Sequence, residues 1–376
     1  MSTVRTNAIL DASGGNTATI NSMTPTADSL QGFRNRLING GMVIAQRSSG
    51  SVANILANGS LRYDTIDRWG YWAEAASKFT VSQSSTAPTG FSNSALITSS
   101  TALSVGSGAY YTFSQRIEGF NFSDFGFGTA NAKSFTVSFW VRSSLTGTFP
   151  FYCHNDGYSR SYVSTYTINA ANTWEQKTIT VAGDTSGTWV GATNGYGIEV
   201  GFTLAVGSTY FASSANTWSS GSFRLGISGA TNFLATNGAT WYITGVQLEV
   251  GSVATPFERR DYGRELAMCQ RYYETSYDSG TAVPTNTQNG AIWFCPTGTR
   301  LVYSYPFKVT KRASPTTVFY SPADSATGNY RNDTGATNVS VATGGILGTN
   351  FLYMYKTSGA TDQTECNVHF SAASEL

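Results

Sequence analysis

His154 and His369 are the only imidazoles in 376 residues, so acid, base or metal chemistry must be built from few parts. No Gly-x-Ser-x-Gly elbow, phosphate loop or His-x-x-x-His pair accompanies them. His154 sits in the turn-like CHNDG beside Asp156, and His369 alternates within the last strand; both are places where a histidine is ordinarily a satisfied structural group. No catalytic residue, metal or cofactor is expected. Carboxylates are the remaining catalytic stock. A glycosidase needs two of them roughly 5 to 10 Å apart, and Asp64, Asp67, Glu74, Glu118, Glu199 and Glu249 are available. Twenty-two acids in a strand-rich chain supply some close pairs by chance, so structural roles are the default, and Asp67 beside Arg68 and Trp69 fits one. A capsule-degrading depolymerase is the enzymatic alternative.

Sugar binding suits the residue stock better. Flat aromatic rings cover the apolar C–H faces of pyranoses while amides, carboxylates and hydroxyls satisfy the sugar's own hydroxyls. Tyr158 in HNDGYSR, Trp218 in SANTWSSGS, and Tyr320 and Tyr330 flanking SPADSATGN lie where turn chemistry dominates, and they are the candidate carbohydrate-binding residues. Trp140, opposite a core face, is a further surface aromatic. Each is weighed against a place at the rim of a core or in a subunit interface. A weak site suffices when several copies engage together, because linkage adds a factor of about 10² to 10⁴.

The elements that must hold these residues alternate. In Phe135 to Arg142, Phe135, Val137, Phe139 and Val141 point one way and Thr136, Ser138, Trp140 and Arg142 the other. The same period assigns one face to Ile198, Val200, Phe202, Leu204 and Val206, another to Tyr111, Phe113, Gln115 and Ile117, and another to Tyr242, Thr244, Val246 and Leu248. Gly/Asn/Asp/Ser clusters punctuate these runs, and eight or more short antiparallel strands predict an all-β jelly-roll sandwich over 60–255. Residues 1–59 read as an arm and lead-in, with Val4, Ile9, Leu10 and Ile20 too sparse to close a core alone. Over 256–276 the period changes: Tyr262, Leu266, Cys269 and Tyr273 recur at four, three and four, the seam of a short helix from Arg260 to Glu274. That seam either gathers three copies or packs on its own subunit. Residues 277–376 alternate again and predict a second, small C-terminal β-sandwich.

The remaining composition excludes several partners. Twenty-three basic against 22 acidic residues give a net charge of +1, which provides no drive toward nucleic acid or anionic lipid. No run approaches the ~20 apolar residues of a membrane span, and the first residues lack the apolar core of a signal peptide. Cys153, Cys269, Cys295 and Cys366 show no Cys-x-x-Cys spacing and read as free thiols.

Several long runs carry a resemblance: Gly32 to Arg47 (GFRNRLINGGMVIAQR), Asp67 to Trp69 (DRW), Ser134 to Phe149, Asn172 to Trp189, and Val246 to Glu274 (VQLEVGSVATPFERRDYGRELAMCQRYYE). Together they resemble bacteriophage tail-fibre proteins, and the jelly roll resembles a carbohydrate-binding module. After Tyr277 the match is confined to Phe307 to Thr316 and the terminal SEL. The resemblance implies an elongated, non-enzymatic homotrimer on the virion, assembled in the host cytoplasm. Its N-terminal arm would attach it to tail or adaptor proteins, and its distal part would meet host-surface glycan. Tyr262, Leu266, Cys269 and Tyr273 would then line the trimer interface, with Val4, Ile9, Leu10 and Ile20 in virion attachment. A head fibre, decoration or adaptor protein is the structural alternative.

Overall fold

The computed structural model describes residues 33–48, 53–54, 59–294, 301–341, 348–356 and 365–376. Val4, Ile9, Leu10 and Ile20 of the expected attachment arm, and Cys295, lie outside the described residues.

The chain folds as all-β, beginning with a jelly-roll sandwich. Its strands are β1 (Ala53–Asn54), β2 (Gly70–Ala73), β3 (Phe79–Ser84), β4 (Ser94–Ser99), β5 (Tyr110–Glu118), β6 (Phe135–Ser143), β7 (Gly147–His154), β8 (Arg160–Ile168), β9 (Glu175–Val181), β10 (Tyr196–Val206), β11 (Thr217–Ser220) and β12 (Thr240–Val250). The front sheet runs β1-β3-β4-β12-β6-β9 and the back sheet β11-β8-β7-β10-β5-β2, with every pair antiparallel. The alternation read in β6 sets its two faces: Phe135, Val137, Phe139 and Val141 are fully buried between the sheets. They meet Phe113, Phe151, Phe202 and Trp241 in one continuous core, each large side chain contributing about 1.5–3 kcal/mol by leaving water.

One expected face is wrong in its first half. Trp241 and Ile243 enter the core beside Val246 and Leu248, so β12 slips by one residue at a bulge between Thr244 and Gln247. Gly245 supplies the turn, with φ at +61°, a conformation glycine adopts without a Cβ clash. Tyr242 and Thr244 therefore point outward.

One α-helix stands among the described residues, α1 (Tyr262–Gln270), and it follows the sandwich. Asp261 caps it by accepting from the Arg264 amide at 2.9 Å, which satisfies one of the orphan donors of the first turn. It ends before the expected Glu274 because β13 (Tyr273–Thr275) pairs with the last strand, β20 (Cys366–Ala373). The second module completes this arrangement with β14 (Ile292–Phe294), β15 (Leu301–Pro306), β16 (Thr316–Tyr320), β17 (Asn329–Asn332), β18 (Thr337–Ser340) and β19 (Phe351–Lys356). β20 is its hub, pairing with β13, β14, β16 and β17, while β15 and β19 form a separate ladder. Phe319, Tyr330, Met354 and Phe370 share its core.

The expected trimer seam is consumed within the subunit. Cys269 is 0% exposed and packs with Ile38, Ile44 and Tyr272, Leu266 joins the same cluster, and Tyr273 is buried in β13; only Tyr262 stays open, at 53%. The irregular lead-in segment covers the stripe through Ile38 and Ile44, and burying it there requires no second copy.

Candidate functional site

The bulge in β12 creates the feature of the front sheet that faces outward. Tyr242 lies opposite Leu96 and Arg142, and Trp140 lies between Thr244 and Gln176. Trp174, just before β9, sets its ring 6.1 Å from that of Tyr242. Phe91 and Trp140 both rest on Gly245: an added Cβ there would lie 2.6 Å from the Phe91 ring tip and 3.2 Å from Trp140 Cδ1. Phe257 meets Phe91 edge to face at 5.1 Å. Five half-buried rings, Phe257, Phe91, Trp140, Tyr242 and Trp174, thus form a strip across the sheet. Beneath it the buried Thr244 hydroxyl has no partner among the described residues.

One end of the strip opens into a cavity of about 340 Å³ lined by Phe91, Asn93, Phe257, Arg259, Asn35 and Tyr262 among others, within the range of small-ligand clefts. Its carboxylates are already engaged. Glu258 accepts from the amides of Phe33 at 3.1 Å and Asn35 at 2.6 Å, and Glu265 accepts from the Asn39 amide, with the nearly buried Arg260 guanidinium 3.4 Å from both acids. Arg259 instead lies exposed over Phe91 and Phe257, 4.9 and 5.9 Å from their centroids. At the far end Arg142 lies 5.0 Å over Tyr242. The arrangement offers apolar ring faces, amides, hydroxyls and two cations on a shallow surface, which is chemistry for holding a polar ring-shaped ligand.

The back sheet is closed over much of its outer side. Tyr152, Val163, Ala212 and Leu225 bury one patch under the loop that follows β10. Beside it Glu199 takes the Tyr152 hydroxyl at 2.7 Å and Arg116 at 2.9 Å. Burial alone would raise the Glu199 carboxyl, but His154 and Arg116 hold it well below the usual carboxylate range. Arg116 also reaches the Leu376 carbonyl at 2.9 Å, and Arg68 pairs with Glu375 while stacking 3.5 Å over Tyr272. Arg271 and Tyr272 close on Glu118 at 2.5 and 2.6 Å. Thus the lead-in, Arg68, the helix end and the final residues, which carry much of the sequence resemblance, converge on this junction.

The expected sugar residues are placed apart from the strip. Tyr158, 42% exposed, is on the back side with its ring 5.0 Å from His154 and 4.7 Å from Phe223. Trp218 is half-buried at the core's edge against Tyr162, Phe127 and Trp189, its indole N–H on the Ala182 carbonyl at 2.8 Å. Tyr320 is buried, its hydroxyl 3.2 Å from Ser371. Tyr330 is 0% exposed in the second core. The reading of Tyr320 and Tyr330 as sugar platforms is therefore corrected: Tyr320 ends β16, Tyr330 lies within β17, and both rings are buried. Of the carboxylates, Asp64, Asp67, Glu118, Glu199 and Glu249 hold neighbouring groups through short hydrogen bonds. The strip was partly visible in Trp140; Tyr242 was missed, although an isolated glycine inside an alternating run is a bulge signal.

No protein-family model matches the chain, and no curated protein matches it. Solved structures similar to it include the enzymatically active domain of tailspike protein 4 of bacteriophage CBA120, 14% identical over 58% of this chain and 21% of that one, with a TM-score of 0.30. A family 11 carbohydrate-binding module from Clostridium thermocellum, in complex with a β-1,3-1,4-mixed-linked tetrasaccharide, is 10% identical over 57% of this chain and 99% of its own, with a TM-score of 0.28. The module TmCBM61 in complex with β-1,4-galactotriose is 10% identical over 58% and 99%, with a TM-score of 0.27. The fold assignment rests on the strand pairing described above.

Proposed function

We propose that this chain is a non-enzymatic bacteriophage fibre component that recognises host-surface glycan on the outer face of its front sheet. The observation that carries the reading is the ring strip with its adjoining cavity, left open where the back sheet is covered by its own loop and by the second module. Supporting it are the tail-fibre-like runs of the sequence and the engagement of Asp64, Asp67, Glu118, Glu199 and Glu249 in hydrogen bonds. In this reading the N-terminal arm serves virion attachment and the second module lies distally.

A ring such as Trp140 or Tyr242 that gives about 80 Å² of apolar surface to a sugar contributes about 2 kcal/mol at 25 cal/mol per Å², roughly a 30-fold effect. Glycan-panel binding by Trp140→Ala and Tyr242→Ala tests the reading, with Tyr158→Ala as the control that leaves binding intact. Unchanged binding by both front-sheet variants would sink it. Incubation with host surface polysaccharide is expected to leave chain lengths unaltered. The trimer implied by the resemblance would have to close through surfaces other than the helix seam; light scattering reads it, and a monomeric mass removes it.

A further inference from the structure

We propose that the strip selects acidic polysaccharide, a chain whose repeat carries a carboxylate, by clamping it between Arg142 and Arg259. This rests on the strip being a glycan site. The two arginines stand at opposite ends of the ring row, with their guanidinium carbons 5.0 and 4.9 Å from the centroids of Tyr242 and Phe91. Each is also tied by one donor to a backbone carbonyl, Arg142 to Asn172 at 2.9 Å and Arg259 to Gly90 at 2.6 Å. A guanidinium carries five donors in a rigid fork, so a carboxylate can still be met by the edge of either. A guanidinium already tied to a carbonyl also loses less freedom on binding than an unrestrained side chain.

Charge around the strip is arranged to match. Among the described residues neither arginine has a carboxylate within ion-pair distance, a state they share with Arg34, Arg224, Arg264 and Arg312, whereas Arg36, Arg62, Arg68, Arg116, Arg160, Arg260 and Arg271 are paired. The outward positions paired beside the rings include Leu96, Thr98, Gln176 and Thr178, while Glu249, further along the same face of β12, is engaged by Gln247 and Thr255. The nearby acids are engaged elsewhere: Glu258 and Glu265 as described, and Glu175 by Lys177 and the amides of Asn169 and Ala170. A neutral glycan would meet the two cations only through hydroxyl oxygens. An anionic one presents a carboxylate to both, and charge-assisted bonds are stronger than neutral ones.

The test uses immobilised hyaluronate, polygalacturonate, alginate and chondroitin, each beside its carboxyl-reduced neutral form, with full-length protein. At least one acidic member is expected to bind about tenfold tighter than its reduced partner, the size of one charge-assisted hydrogen bond. Arg142→Gln and Arg259→Gln should each remove most of that preference, weakening the acidic form far more than its reduced partner, with the melting temperature unchanged. Equal binding of acidic and reduced forms, or acidic binding indifferent to both substitutions, overturns the proposal and leaves the glycan reading standing. Binding to no member of any pair defeats the glycan reading itself.

Discussion

Gly245→Ala and Gly238→Ala separate the two demands that the bulge makes on the chain. Both glycines have positive φ, +61° and +76°, and a left-handed backbone costs a non-glycine residue roughly 1–2 kcal/mol. Loss of freedom in the unfolded chain offsets about 0.4–1 kcal/mol of that at either site, so the backbone contribution should nearly cancel between them. Space does not cancel. A Cβ on Gly238 meets nothing within 4 Å, whereas one on Gly245 lies 2.6 and 2.9 Å from two Phe91 ring atoms and 3.2 Å from Trp140, against an ordinary carbon contact of about 3.5–4.0 Å. Phe91 must give way by about 1 Å, and such overpacking costs about 1–3 kcal/mol. Urea unfolding followed by tryptophan fluorescence should therefore place Gly245→Ala about 1–3 kcal/mol below Gly238→Ala. Glycan binding should fall in the first variant alone, because Phe91 leaves its place in the strip. Equal stabilities, or a Gly245→Ala protein with full binding, would refute the claim that the bulge seats these rings.

Glu274→Gln should cost about 3–5 kcal/mol by stranding the Lys311 ammonium, since that ion pair is fully buried; calorimetry reads it, and Glu274→Leu combined with Lys311→Met should recover much of the loss. Tyr330→Ala should destabilise the second module by roughly 3–5 kcal/mol through the cavity left in its core without altering glycan binding, the reverse of its expected role. In acid the junction should loosen. Burial would raise Glu118, but Arg271 and Tyr272 hold it below its ordinary value of 4.5, so its contribution is complete above about pH 4.5 and is lost as pH falls through the depressed folded value. Glu199 acts in the same direction, while Asp67, raised by burial, opposes both. A melting temperature that climbs as pH drops from 4.5 would contradict the Glu118 and Glu199 assignments.

Local sequence was sufficient for the sheets. Alternation in Phe135–Ser143 and in Ile198 to Leu204 sorted inward from outward residues because strand period is a property of the backbone itself, and Trp140 could be placed outside for that reason. The break at Arg260 likewise announced a helix, since a change of period is a short-range signal. Where each apolar stripe would be covered was decided by distant chain. Ile38 and Ile44 over Cys269, and β20 beside Tyr273, lie far from the helix in sequence, so the stripe that could have gathered three copies closes within one. Tyr320 and Tyr330 flank a turn-rich segment, yet strand pairing with β20 and the packing of the second core turned their rings inward. The candidate site depended on one residue of slip. Gly245 moved Tyr242 to the surface beside Trp140, and Phe91, Phe257 and Trp174 reached the same face from separate loops, because a sheet brings together side chains whose order along the chain carries no record of their neighbours.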